Sequence, residues 1–250
     1  MDDKDYFSLQ RLSASGAKTL LKSPARYKYE LDQPPAKGAE LRFGSLFHTL
    51  TLEPDQFDAR YIVAPDVDRR TKEGKDAYAR FQFNAGSREI VTAEDYERAS
   101  RMADAARQSA GHLLVGQVEQ PVLWERDGVP LKAKMDVVGE HIVDLKSTSA
   151  DDEDSLVRAA WTYGYHISAA AYQEAAEVLT GRKLEKHFVF VTKTEPHEVV
   201  VLKAGDEFLA RGRAKWDAAI RLYAACREFD NWPGLASRIE SGVLNPPRWA

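Results

Sequence analysis

The chain has 250 residues, 44% of them apolar and 30% charged, which is typical of globular proteins and excludes disordered, collagen-like and disulfide-rich classes. The net charge is −4, so any DNA contact would depend on a local basic groove rather than on overall charge. One cysteine, Cys226, excludes an internal disulfide and a cysteine-ligated cluster. The acidic start and the lack of an apolar span predict a cytoplasmic protein with no membrane partner.

The N-terminal third of the chain has the spacing of helices. Ser23 and Pro24 are predicted to be the N-cap and the first position of one helix. A second helix is predicted over 41–52 and is ended by Pro54. Residues 66–88 are charged and aromatic without a clear period, which we interpret as a loop or a short helix. A third helix is predicted over 92–114. Residues 1–115 are therefore predicted to be mainly helical.

The pattern changes to period two over 117–147, with turns at 126–128 and 139–140. A helix over 155–180, strands at 187–192 and 198–202, and a last helix over 206–229 follow. This order predicts an α/β fold with a small mixed sheet flanked by helices. We interpret 1–250 as a single domain with a helical part (1–115), a sheet core (116–205) and a C-terminal helix and tail (206–250).

Two charges lie inside the predicted buried strand at 142–146. Asp144 and Lys146 are two positions apart, so their side chains point to the same face of the strand. Asp136 ends the preceding strand, and a hairpin could bring it beside Asp144. Convergent carboxylates suit Mg²⁺ or Mn²⁺. A structural ion pair at a strand end is the alternative that this tripeptide alone leaves open.

The order of these features resembles a known superfamily. Gly44-x-x-x-His48, Glu119, Lys-Ala-Lys-Met-Asp136 and Asp144-x-Lys146, followed by a tyrosine-rich helix, resemble the PD-(D/E)xK nucleases. Within them the chain is most similar to the nuclease domain of RecE-type exonucleases (exonuclease VIII) and related phage exonucleases. The resemblance covers about residues 8–230 and implies a restriction-endonuclease-like core.

The resemblance also implies roles for single residues. Asp136 and Asp144 would bind the metal, with His48 as a further ligand, and Glu119 would be a nearby catalytic acid. Lys146 would orient the attacking water and stabilise the developing charge. The implied cofactor is Mg²⁺, with Mn²⁺ as the alternative, and no iron–sulfur cluster is expected because such relatives need four cysteines. Replacing Asp144 or Lys146 with alanine is expected to abolish turnover with little loss of stability.

Basic residues outside this set are candidate DNA contacts. Lys132 and Lys134 alternate along the strand that leads to Asp136, and lysine charges suit backbone phosphates. Arg69 and Arg70 lie among aromatic residues that could stack on bases. A solvated strand face and a solvated loop are the respective alternatives.

Aromatic residues of the helix after Lys146 are also implicated by the resemblance. Tyr165 and Tyr172 match aromatic positions of the family's motif helix. Many relatives carry glutamine where this chain has Ser168, and Gln173 would point elsewhere on the helix. Substrate positioning is therefore expected to differ from that of the relatives.

The resemblance implies a Mg²⁺-dependent exonuclease that digests linear duplex DNA 5′ to 3′ and leaves 3′ single strands for recombination. It also implies a ring-shaped homo-oligomer, a trimer or tetramer, and a single-strand annealing protein as partner. An endonuclease or a single-strand-specific nuclease on the same site is the first alternative. A decayed site that binds DNA or recruits a partner is the second.

Overall fold

The computed structural model describes residues 3–33 and 38–238. The helices are α1 (Asp3–Ser8), α2 (Ala14–Lys22), α3 (Pro24–Asp32), α4 (Ala39–Leu52), α5 (Phe57–Arg60), α6 (Lys72–Ala85), α7 (Ala93–Ala110), α8 (Glu153–Thr162), α9 (Tyr165–Thr180) and α10 (Asp206–Glu228). The strands are β1 (Tyr61–Val63), β2 (Glu89–Val91), β3 (Gln117–Arg126), β4 (Val129–Val138), β5 (Ile142–Thr148), β6 (Lys186–Thr192) and β7 (Val199–Lys203). Short 3₁₀ turns cover Pro54–Gln56 and Ala236–Arg238.

Five strands form one mixed sheet in the order β3-β4-β5-β6-β7. Adjacent strands are antiparallel except β5 and β6, which are parallel. These two are parallel because α8 and α9 carry the chain back to the end of the sheet at which β5 began. A second sheet of two short parallel strands, β1 and β2, was not predicted. Among the described residues, no helix combines the length and the apolar character that crossing a membrane requires.

The hairpin between β3 and β4 follows from its turn residues. Arg126 pairs with Val129, which leaves a two-residue loop of Asp127 and Gly128. Both have positive φ, 53° and 73°, as the tight hairpin turn requires. The predicted turn at 126–128 is therefore confirmed.

Helices cover both faces of the sheet, which confirms the predicted fold class. One face packs on α2, α9 and α10, and the other on α4 and α7. Along β4 the side chains alternate between the two faces of the sheet, and this alternation shifts at Asp136. Leu131, Ala133 and Met135 join the core on the side of α2, α9 and α10, whereas Val137 joins the core on the side of α4 and α7. The sheet is thus irregular at the position of this carboxylate.

β4 and β5 separate soon after their turn. Their pairing is confined to Val137 and Val138 of β4, opposite Val143 and Ile142. The free edge of β4 is covered by the N-terminal segment, since Leu12 exchanges backbone hydrogen bonds with Pro130 and Lys132 at 3.0 Å each. The N-terminal segment therefore borders β4 beyond the point where β5 leaves it.

Two predicted elements differ in the structure. The helix predicted over 155–180 is wrong as one element, because Gly164 has a left-handed φ of 66° and separates α8 from α9. Residues 66–88 contain the 14-residue helix α6, which begins after a cap in which the Thr71 hydroxyl accepts a hydrogen bond from the Gly74 N–H.

The Glu174 carboxylate links three elements and is expected to contribute to stability. It accepts hydrogen bonds from the indole N–H groups of Trp124 and Trp216 at 2.8 Å each, and from Arg126 at 2.7 Å. Glu174→Ala leaves these donors without their acceptor and should lower the free energy of unfolding by roughly 2–3 kcal/mol. Urea denaturation measures the loss, and Glu177→Ala, at an exposed position of α9, should change stability by less than about 0.5 kcal/mol.

Candidate active site

Three charged side chains meet where β4 and β5 separate. Lys146 donates a hydrogen bond to Asp144, and its Nζ lies 3.8 Å from Asp136 Oδ2. The backbone N–H of Leu145 donates to Asp136 Oδ2 at 2.7 Å. The turn between β4 and β5 therefore brings both aspartates to one lysine, and the β5 backbone fixes the position of Asp136.

Helix α4 adds an imidazole to this group. His48 Nε2 lies 2.7 Å from the Leu145 carbonyl oxygen. A carbonyl oxygen only accepts, so Nε2 carries the hydrogen and donates it. His48 Nδ1 then faces the carboxylates, 3.7 Å from Asp136 and 3.8 Å from Glu119. In the neutral ring, Nδ1 has a free lone pair directed at the two acids.

Glu119 reaches the same point from β3. Glu119 follows Val118 and precedes Gln120, which pair with Val137 and Met135 of β4. The backbone φ of Glu119, 49°, is unusual for a strand residue. Lys134 Nζ lies 2.7 Å from Glu119 Oε2. Burial would raise the pKa of Glu119, but its interactions with His48 and Lys134 lower it to about 2. Glu119 is therefore a carboxylate over the physiological range.

The two aspartates have opposite electrostatic environments. Burial raises the pKa of Asp136 to about 6, although His48 and Lys146 oppose the shift. Burial would also raise the pKa of Asp144, but the ammonium groups of Lys146 and Lys186 overcome that effect and hold it well below its usual value. Asp144 is thus the fixed anion of the site, whereas Asp136 takes up a proton at a higher pH than Asp144 does.

Lys186 is a site residue that the sequence did not reveal. Its side chain is fully buried, and its Nζ lies 3.6 Å from Asp144 Oδ2 and 5.0 Å from the ring centres of Tyr172 and Phe188. Burial lowers its pKa to about 8 despite the carboxylates nearby. It stands in the charged run Arg-Lys-Leu-Glu-Lys-His, which looks solvent-exposed, so only the parallel pairing of β6 with β5 reveals it.

A second unpredicted lysine borders the site. Lys18 of α2 lies 5.4 Å from the ring centre of Tyr165, and Lys146 lies 5.7 Å from the same ring. Burial, with the charge of Lys146, lowers the pKa of Lys18 to about 8. The predicted Tyr165 thus lies close to both lysines, and the predicted Tyr172 lies against Lys186.

The structure gives Lys132 a different environment from that of Lys134. Its ammonium group donates hydrogen bonds to the backbone carbonyls of Tyr6 and Leu9, at 2.9 and 2.8 Å. These contacts bind the N-terminal segment to β4.

The predicted arginines lie before α6. Arg70 pairs with Asp68 at 3.0 Å, and the Arg69 guanidinium lies 4.7 Å from the ring centre of Tyr78. Within the described residues, neither forms an ion pair with the carboxylates near Lys146. Both are exposed.

The serine that replaces the glutamine of many relatives lies in the protein interior. Ser168 is buried in α9, and the Gln173 side chain donates a hydrogen bond to the Leu184 carbonyl at 3.0 Å. The one glutamine near the predicted position therefore supports the loop before β6.

His48, Glu119 and Asp136 fit a divalent cation. One donor atom from each lies within 4.8 Å of the other two. The two carboxylates suit Mg²⁺ or Mn²⁺, and the cation would balance acids that otherwise repel. Asp144 adjoins this group but is turned toward its two lysines.

Similar structures are found among solved proteins. A protein of Eubacterium rectale to which exonuclease activity is ascribed has 18% identity and a TM-score of 0.65, over 99% of this chain and 95% of its own. At that identity the likeness shows the fold alone. A phage-related exonuclease from Haemophilus somnus 129PT has 12% identity over 74% of this chain and 95% of its own, and its TM-score of 0.36 is too low to support an argument.

Sequence comparisons give the family. No curated protein sequence matches the chain. A family model does match residues 13–243, which include all the residues of the site. The chain therefore belongs to the family described as the PDDEXK-like domain of unknown function DUF3799.

Proposed function

We propose that this protein is a Mg²⁺-dependent deoxyribonuclease that acts as an exonuclease. The observation that carries the proposal is the meeting of His48, Glu119 and Asp136 around one point, with Lys146 3.8 Å from Asp136. Family membership and the fold shared with the Eubacterium rectale protein support a nuclease.

The residues have separate roles in the proposed reaction. His48, Glu119 and Asp136 would hold the cation, with Asp144 as a further ligand. The bound cation would polarise the scissile phosphate and activate a water molecule. Lys146 would stabilise the negative charge that develops on the phosphate, because its ammonium group is fixed in advance by Asp144.

Other residues would orient this machinery and the DNA. Lys134 holds Glu119 through its ion pair, and Lys186 compensates the charge of Asp144. Lys18 and Tyr165 border the site and would contact the substrate phosphate and sugar. We also propose Arg69 and Arg70 as a DNA surface, since both are exposed and Arg69 lies against the ring of Tyr78.

We further propose linear duplex DNA as substrate, with 5′-to-3′ digestion that leaves 3′ single strands for recombination. The sequence resemblance to RecE-type exonucleases supports this choice. A ring of three or four copies would place local basic surfaces around the DNA despite the net charge of −4. A single-strand annealing protein would then receive the product.

The test compares linear with covalently closed circular duplex DNA, each labelled, in Mg²⁺ and in EDTA. We expect Mg²⁺-dependent loss of the linear DNA alone, because an exonuclease requires an end. Labels placed separately on the 5′ and 3′ ends give the polarity. Light scattering after size exclusion gives the number of copies in the assembly.

Each other outcome identifies a different function. Cleavage of the circle would indicate an endonuclease, and cleavage of unpaired strands alone would indicate a single-strand-specific enzyme. No cleavage with Mg²⁺ or Mn²⁺ would overturn the proposed activity and favour a DNA-binding or partner-recruiting protein. A strict monomer would contradict the ring.

A further inference from the structure

A second group of metal-binding side chains lies outside the nuclease site. His141 is in the turn between β4 and β5, Glu185 precedes β6, and His187 is its second residue. One donor atom from each lies within 4.8 Å of the other two, and the imidazole ring centres are 4.7 Å apart. We call these three residues the His–Glu–His cluster.

The parallel pairing of β5 with β6 brings the cluster together. Ile142 is aligned with Lys186, so His141 and Glu185, the residues before them, lie side by side at the start of the two strands. Consecutive strand residues point to opposite faces. His187 therefore lies on the other face of the sheet from Lys186, which contacts the nuclease site.

The cluster has unsatisfied nitrogen atoms. His141 Nδ1 and His187 Nε2 are buried and have no hydrogen-bond partner within the described part of the chain. A buried polar atom without a partner costs about 1–3 kcal/mol. His187 Nε2 lies 3.5 Å from Glu185 Oε2, whereas the other oxygen of Glu185 accepts a hydrogen bond from Lys203. One carboxylate oxygen is therefore fixed while the other faces the imidazoles.

We propose that His141, Glu185 and His187 bind one Zn²⁺ ion. Two imidazole nitrogens and one carboxylate oxygen are typical zinc ligands, with water in the fourth position. A metal ion would accept the lone pairs of nitrogens that no protein group engages. Lys203 would hold the carboxylate as an outer partner, an arrangement common around bound metals.

The surroundings of the cluster allow an ion to enter. A cleft of about 390 Å³ lies beside His141, between His112, Val115 and Gly139. The imidazole of His187 retains 15% of its exposure and Glu185 retains 50%. Binding would tie the β4–β5 turn to β6 and so stabilise the turn between the strands that carry Asp136 and Asp144.

Zinc binding is measured by isothermal titration calorimetry. Protein stripped of metal by a chelator is placed in buffer with excess Mg²⁺, and Zn²⁺ is then titrated in. The Asp136→Asn background removes a ligand of the nuclease site, so the Zn²⁺ binding that His187→Ala then abolishes reports on the His–Glu–His cluster. We expect one Zn²⁺ per chain in that background. His187→Ala should weaken this binding at least about 100-fold, and Co²⁺ should give the intense visible absorption of a tetrahedral site only when His187 is present.

The controls separate loss of a ligand from loss of fold. His112→Ala, at an exposed position beside the cleft, should bind Zn²⁺ like its parent. Glu185→Gln keeps the size of the side chain and should also bind weakly, with an unchanged circular dichroism spectrum. Absence of Zn²⁺ binding in Asp136→Asn, or equal binding after His187→Ala and Glu185→Gln, would overturn the proposal.

Discussion

Replacing Lys146 with methionine is expected to lower the rate of DNA hydrolysis by roughly 10²–10³-fold. The variant keeps the apolar stem but removes the ammonium group that Asp144 fixes beside Asp136. Because that charge would be used mainly in the transition state, the loss should appear in kcat more than in KM. Initial rates on end-labelled linear duplex DNA in Mg²⁺ measure the effect.

A lysine outside the site provides the matched control. Lys28→Met removes an equal charge from α3, where Lys28 pairs with Asp32 at 3.2 Å. The rate should stay within about twofold because Lys28 lies outside the site. The fold should be kept because surface ion pairs contribute little to stability. Full activity of Lys146→Met, with a normal circular dichroism spectrum, would show that Lys146 has no part in the reaction.

Asp144→Ala is expected to lower the free energy of unfolding by roughly 3–5 kcal/mol. The substitution leaves the fully buried ammonium group of Lys186 without the carboxylate that lies 3.6 Å from it. Adding Lys186→Met to this variant should restore most of the lost stability, since both buried charges are then absent. Activity should remain abolished in both variants. Denaturant unfolding of wild type, both single variants and the double variant gives the coupling energy.

This expectation revises what the sequence suggested for Asp144. Without knowledge of Lys186, Asp144→Ala appeared to remove charge at little cost to the fold. If Asp144→Ala unfolds at the wild-type denaturant concentration, or if Lys186→Met does not offset it, the two side chains are not energetically coupled. Loss of activity alone would not distinguish these cases, so stability is the deciding measurement.

The sequence predicted those parts of the molecule that depend on local periodicity. Alternation over 117–147 and the Asp127-Gly128 turn specified the hairpin of β3 and β4. The predicted turn at 139–140 accounts for the approach of Asp136 to the strand that carries Asp144. Family resemblance pointed to His48 and Glu119, although they come from an unrelated helix and a different strand. The structure brings all these side chains together.

Features set by long-range pairing were not predictable. Lys186 became part of the site because β6 aligns with β5 across two intervening helices. Lys18 comes from α2, far away in sequence, and no pattern in its helix marks it. The break at Gly164 was missed because one glycine within a helical pattern is compatible with a continuous helix. Its left-handed conformation is one that glycine adopts without steric cost.

The cover that the N-terminal segment provides for β4 has a consequence for biosynthesis. Leu9 and Lys132, joined by a hydrogen bond, are 123 positions apart. The first helices are synthesised long before their sheet partner leaves the ribosome, and they cannot bury their apolar faces until it does. Such a non-local contact slows folding and exposes apolar surface meanwhile. The nascent chain should therefore expose this apolar surface until β4, and the later helices α9 and α10 that share its core, have emerged.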